Sequence, residues 1–346
     1  MQAALICGLS ATSLTPDERA FFRDVQPAGV ILFTRNCHGL EQIRALVSET
    51  REAVGAEDFL VLIDQEGGRV QRLRGALGRA LPPARRYGDM FARDGARALR
   101  AARSVSRLIA DDLRALGINT NCTPVLDMPV SGAHGVIGDR AYGTEPAPII
   151  ALAREVVAGH VEGGVVPVIK HIPGHGRACA DSHLALPVVE TPHAELTASD
   201  FVPFRALRDA PAAMTAHVVF RDIDAGAPAT TSRRVTQDII RGEIGFQGLL
   251  MSDDLSMRAL SGPMRMRAES VIAAGCDLAL HCNGGMDEMC AAAQGVPVLS
   301  GAASDRFARA CTITRATHHF DAAEAARLLQ EVLSEGAHSA QSPESV

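Results

Sequence analysis

Apolar and polar positions fall in alternating blocks along this chain. Short apolar, β-branched runs occupy residues 3–7, 29–33, 59–63, 118–125, 165–169, 213–219, 248–251 and 277–281, which predicts eight strands. Segments with helical spacing or composition separate them, at 16–25, 40–54, 96–116, 149–162, 203–209, 235–244 and 263–274. Parallel strands joined by crossover helices explain such alternation, and eight units are the number that closes a (β/α)8 barrel. An open doubly wound sheet is the structural competitor.

The polar residues favour the barrel. The apolar runs end in Asp64-Gln65-Glu66, Asp127, Lys170-His171, His217, Asp253-Asp254 and His281-Cys282-Asn283. Each alone could cap the helix that follows. Together they suit the C-terminal mouth of a barrel, where catalytic side chains converge from several strands. Asp64, Lys170, His217 and Asp253 are therefore expected to open on one mouth.

Further helical segments lie at 304–310 and 322–333, and the final dozen residues have the composition of a disordered tail. The expected organisation is one α/β domain: a TIM barrel over residues 1–300, a C-terminal helical extension of it over 301–334, and the tail over 335–346. Its 346 residues, with 47% hydrophobic and 21% charged, can bury a sizeable core. A net charge of −6 gives no general reason to bind nucleic acid. The chain shows no secretory leader and no run of about 18 apolar residues, so a soluble, cytoplasmic, monomeric protein without a membrane partner is expected. Eight cysteines lack the spacing of a zinc module and read mostly as small buried hydrophobes; Cys179 is singled out because it falls within the motif described next.

The densest chemistry is Lys170-His171-Ile172-Pro173-Gly174-His175-Gly176, followed by Asp181-Ser182-His183. Two glycines suit a loop that folds over a small ligand. Asp181 and His183, one residue apart, face the same way in an extended segment, and a carboxylate beside imidazole can orient it and raise its pKa toward neutrality. A second motif, Leu249-Leu250-Met251-Ser252-Asp253-Asp254, delivers two acids to a strand end; the helix-capping role fits Asp254 better than Asp253. In a third, Asp64 can accept hydroxyl hydrogen bonds from a sugar and Arg72 can donate in a fixed fork. Arg140 lies in another glycine-containing loop, where its bland role is a surface ion pair.

This ordered set of motifs, with Ile137–Tyr142 and Met214-Thr215-Ala216-His217 between them, resembles the bacterial β-N-acetylglucosaminidases of glycoside hydrolase family 3, the single-domain type of cell-wall recycling. The resemblance spans about residues 3–290. It implies Asp253 as nucleophile, His183 as general acid/base with Asp181 as its partner, and substrate contacts from Asp64, Arg72, Arg140, Lys170 and His171. It implies no cofactor and no metal. Ile172 and Ala141 stand where the family often has Phe and Ser.

The activity implied is retaining exo-hydrolysis of terminal β-linked N-acetylglucosamine, through attack by Asp253 and protonation of the leaving oxygen by His183. The substrate implied is a small carbohydrate or muropeptide of the N-acetylglucosaminyl-1,6-anhydromuramyl type. Two other readings stand beside it. A metal-dependent hydrolase could use His171, His175, Asp181 and His183 as ligands, although their spacing matches no familiar metal motif. A non-catalytic sugar-binding protein would need neither nucleophile nor acid/base pair.

Overall fold

The computed structural model describes residues 2–182 and 184–334. His183, assigned above as acid/base, and residues 335–346, the expected tail, lie outside the described residues.

Eight parallel strands close into a barrel in chain order: β1 (Ala3–Gly8), β2 (Pro27–Leu32), β3 (Leu60–Ile63), β4 (Thr120–Asn121), β5 (Val166–Ile172), β6 (Ala212–Thr215), β7 (Leu249–Asp254) and β8 (Leu278–His281). β8 pairs back onto β1, with Cys7 opposite His281. Alternate side chains serve two cores. Ile6, Ile31, Leu62, Val168, Met214, Met251 and Leu280 fill one cluster, whereas Leu5, Val30, Val61, Ile169, Ala213 and Leu250 pack in the larger one with the helices. Strands buried on both faces in this way read as near-continuous apolar runs, which is why all eight were legible.

The helices begin and end where local chemistry dictates. Pro16–Val25 starts on Thr15, whose hydroxyl accepts from the Glu18 N–H while Glu18 accepts from the Thr15 N–H. This reciprocal capping stabilises the helix by about 1 kcal/mol. Leu40–Val54 stops at Gly55, whose φ of 68° costs a glycine little. The C-terminal helix Ala322–Ser334 packs on Gly95–Arg114 and Ala84–Arg93, against the outside of the barrel.

Three details differ from expectation. β4 keeps only Thr120 and Asn121 of the run 118–125, because Pro124 has no N–H to donate to the ladder; Val125 rejoins it through a single bridge to Lys170. The run 213–219 splits, and Val219–Phe220 leaves the barrel to pair with Val188–Val189. Helices at Ala84–Arg93, His193–Ala198 and Met286–Gln294 were not anticipated. Ala84–Arg93 holds Gly88, where an added Cβ would lie 1.7 Å from the Tyr142 carbonyl oxygen. Among the described residues, no helix is long and apolar enough to cross a membrane.

Candidate active site

The strand ends open on a cavity of about 420 Å³, lined by residues that include Phe33, Asp64, Arg72, Arg140, Lys170, His171, Asp181 and Asp253. Asp64, Arg72, Arg140, Lys170, His171, Asp181 and Asp253, all named from the sequence, therefore face one space. A second cavity of about 370 Å³, between the loop at 73–81 and the outer helices, contains none of these groups.

One wall of the site is a network of charges. Asp64 accepts from Arg72 Nη2 at 2.8 Å and Lys170 Nζ at 3.0 Å. Glu66 accepts from Lys170 Nζ at 2.6 Å and, through both oxygens, from Arg140 Nε at 2.9 Å and Nη2 at 2.8 Å. Lys170 thus joins two carboxylates, and its side chain is only 3% exposed. Burial alone would raise both acids; Lys170 and Arg72 outweigh it at Asp64 and hold that carboxyl well below the usual range. At Glu66, Arg140 and Lys170 outweigh burial and bring the pKa down to about 2. Burial would lower Lys170, but Asp64 and Glu66 prevail and raise it. Asp64, Glu66, Lys170 and Arg140 are therefore all charged at neutral pH. The Arg72 guanidinium lies 4.9 Å from the Phe33 ring centroid, and its buried Nε–H has no acceptor among the described residues.

The hairpin strands Gln65–Gly67 and Val70–Gln71 position this wall. Gln65 Oε1 accepts from the Arg72 and Leu73 N–H groups at 3.0 and 3.1 Å. Arg69 reaches across to the loop that carries Arg140, donating to Asp139 at 2.9 Å and to the carbonyls of Gly135, Val136 and Ile137.

His171 is fixed from behind. Its Nδ1 lies 2.6 Å from Asp127 Oδ2, and Asp127 also accepts from the N–H of His175 at 2.7 Å. Burial would raise Asp127, but His171 and His175 hold it below its ordinary value. An ionised carboxylate only accepts, so the His171 proton sits on Nδ1. His175 is buried and its pKa is pushed down to about 4, by burial first and His171 second. Its Nε2 lies 3.2 Å from Ser182 Oγ. The alternative metal set is thus partly committed elsewhere, His171 to Asp127 and His175 to Ser182; among the described residues no group of three His, Cys, Asp or Glu side chains gathers to hold a metal.

Asp253 and Asp254 at the end of β7 separate by role. Asp254 Oδ1 accepts from the Ser256 and Cys282 N–H groups, both at 3.0 Å, and its other oxygen accepts from the Ser256 hydroxyl. That carboxylate braces the backbone. Asp253 Oδ1 accepts the Asp254 N–H at 2.8 Å, and among the described residues it forms no ion pair. Burial would raise its pKa; the imidazoles of His217 and His171, the Asp254 N–H and Lys170 outweigh it and keep the carboxyl below its ordinary value. An ionised carboxylate without an ion pair has the chemistry of a nucleophile.

The glycosyl hydrolase family 3 N-terminal domain matches residues 8–309, most of the chain. The chain belongs to glycoside hydrolase family 3. A β-hexosaminidase of Alkalilimnicola ehrlichii is 41% identical over 283 residues, 81% of this chain and 80% of the relative. NagZ from Neisseria gonorrhoeae superposes with a TM-score of 0.85 at 32% identity, covering 96% of this chain and 98% of the other. A family 3 β-N-acetylglucosaminidase from Paenibacillus sp. FPU-7 does so with a TM-score of 0.84 at 29% identity, covering 95% and 66%.

This family 3 member also uses groups that sequence reasoning passed over. Glu66 has no role in the sequence reading, yet it joins Lys170 to Arg140. The surface ion pair offered as the bland role of Arg140 is instead a buried one, with side chains 11% and 7% exposed. His217 does not line the cavity: it is fully buried, with Nε2 on the Asp254 carbonyl. Six of the eight cysteines are buried, Cys290 is half-buried and Cys179 is exposed.

Proposed function

We propose that this family 3 enzyme is a retaining exo-β-N-acetylhexosaminidase that releases terminal non-reducing N-acetylglucosamine through a covalent intermediate on Asp253. The observation that carries this reading is the pairing, in one cavity, of an ionised Asp253, free of ion pairs among the described residues, with Asp64, Arg72, Lys170 and Arg140, the last two joined by Glu66. Asp64 and Arg72 offer acceptor and donor atoms to sugar hydroxyls. His171, held through Nδ1 by Asp127, has Nε2 left for one more.

In the first step Asp253 attacks the anomeric carbon while His183 protonates the departing oxygen; in the second, His183 takes a proton from water that opens the glycosyl-enzyme. Two displacements at one carbon retain its configuration. Asp181, which lines the cavity, is the partner that orients His183. The relatives named β-hexosaminidase and β-N-acetylglucosaminidase support the sugar. The aglycone that fits the family resemblance is a 1,6-anhydromuramyl peptide, and on this reading the enzyme serves cytoplasmic peptidoglycan recycling.

The test is turnover of a chromogenic N-acetylglucosaminide, with and without chelator, together with the anomer first released as seen by NMR. Chelator-insensitive release of the β-anomer is expected. Loss of activity on chelation would favour the metal reading, binding without turnover would favour a sugar-binding protein, and release of the α-anomer would remove the covalent intermediate.

A further inference from the structure

The strand that bears Asp253 is bulged at its functional end. Met251 stands opposite Leu278, but Asp254 stands opposite Leu280, so three steps along β7 match two along β8. A bulge re-aims side chains and interrupts the ladder locally. Side chains make good the interruption. Leu280 N–H donates to Ser252 Oγ at 2.9 Å, and Cys282 N–H to Asp254 Oδ1 at 3.0 Å.

On the other side, β6 pairs with β7 only as far as Met214 opposite Met251. The Asp254 carbonyl therefore has no strand to donate to it from that side. Two donors serve it instead, His217 Nε2 at 2.9 Å and the Met257 N–H at 3.2 Å; His217 Nδ1 lies 2.7 Å from Thr230 Oγ1, itself 2.8 Å from Thr215 Oγ1. We propose that His217 is a positioning residue for Asp253: with the Met257 N–H it holds the Asp254 carbonyl beyond the end of the β6 ladder, and so keeps the Asp253–Asp254 segment in the attacking geometry. The proposal rests on Asp253 being the nucleophile, the reading given above.

The proton count fixes how the chain works. A carbonyl only accepts, so Nε2 carries a hydrogen. Burial lowers the His217 pKa and keeps the ring neutral, so Nδ1 accepts from the Thr230 hydroxyl and Thr230 accepts from Thr215. The Ala216 carbonyl, 2.9 Å from Thr230 Oγ1, competes for the same hydrogen. Were it to win, Nδ1 would face an oxygen lone pair unless a fully buried imidazole took a second proton, which desolvation opposes. Thr230 is thereby a tautomer lock. His217 touches no reacting atom in this account; it holds Asp253 in place through the backbone.

The experiment compares His217→Ala, His217→Gln and Thr230→Val for kcat, KM and the phenolate burst on an activated aryl N-acetylglucosaminide. His217→Ala should lower kcat and the burst rate about 100-fold with KM within about twofold, because preorganisation of the nucleophile is lost and sugar binding is not. His217→Gln, whose amide nitrogen can still donate, should recover to within about tenfold of the parent. Thr230→Val should lose about fivefold. If His217→Ala does not fold, the Gln and Val variants decide alone. Parental burst rates in the variants, or a rise in KM at unchanged kcat, would overturn the proposal. Asp253→Ala separates the two claims: if that variant still turns over, the nucleophile reading has failed, whereas an inactive Asp253→Ala beside a fully active His217→Ala removes only the role of His217.

Discussion

The two walls of the cavity hold their carboxylates in opposite ways. Asp64 and Glu66 are tied to Arg72, Lys170 and Arg140, whereas Asp253 is backed by an N–H and, among the described residues, by no ion pair. A carboxylate shared between cations is rigid and weakly basic, which suits holding a sugar. One that shares no ion pair keeps electron density available for attack. Two acids in one pocket thus acquire different chemistry from their neighbours, not from their own structure.

The largest effect should separate the walls directly. Asp253→Ala should lower kcat by on the order of 10⁴-fold or more at an unchanged melting temperature, as removal of a nucleophile does. Asp254→Ala should cost less activity and more stability, since that carboxylate braces the Ser256 and Cys282 amides. An inactive Asp254→Ala beside an active Asp253→Ala would reverse the comparison.

The charged wall should break as a unit. Lys170→Ala leaves Asp64 and Glu66 facing each other without the ammonium between them, and breaking a buried pair costs roughly 3 kcal/mol or more. Thermal unfolding should show that loss, and KM should rise more than kcat falls. A variant as stable as the parent would mean that Lys170 contributes no net stability.

Acid should dismantle the two kinds of burial in sequence. His160 and His175 have folded-state pKa values lowered to about 4. Their stabilisation is therefore intact above the unfolded value of about 6.5 and is lost as pH falls toward 4. The Glu66 pKa is lowered to about 2, so its contribution holds until pH drops below about 4.5 and goes as pH nears 2. Unfolding free energy should fall first on the histidine account, by up to roughly 3 kcal/mol per ring. His160→Gln should flatten the slope between pH 6.5 and 4 and leave the lower limb unchanged; an unaltered slope would contradict this assignment.

The smallest effect concerns the clasp on the charged wall. Arg69→Ala should release the loop at 135–139 and loosen Arg140, raising KM about threefold at constant kcat. A parental KM would show that Glu66 alone holds Arg140.

Much of the fold was legible because barrel strands are buried on both faces, so their apolar runs stand out. The exceptions have local causes: Pro124 cuts β4 short, and Val219–Phe220 leaves the barrel for another partner. In the site, the end of each run exposed the residue types but not their pairing. Asp64 meets Lys170 across 106 positions and Glu66 meets Arg140 across 74, separations that no local pattern encodes. His217 looked like a residue of the mouth because strand-end position fixes height in the barrel, whereas the split after Thr215 decides which way the side chain turns.

The most direct test of the central claim is to trap the intermediate. A slow N-acetylglucosaminyl donor, fluorinated on the ring to retard hydrolysis and bearing a good leaving group, should add one sugar to the intact protein. Peptide mapping should locate that sugar on Asp253. Modification of Asp254 or Asp64, or full turnover of a good substrate with no adduct ever accumulating and an inverted product, would contradict the account.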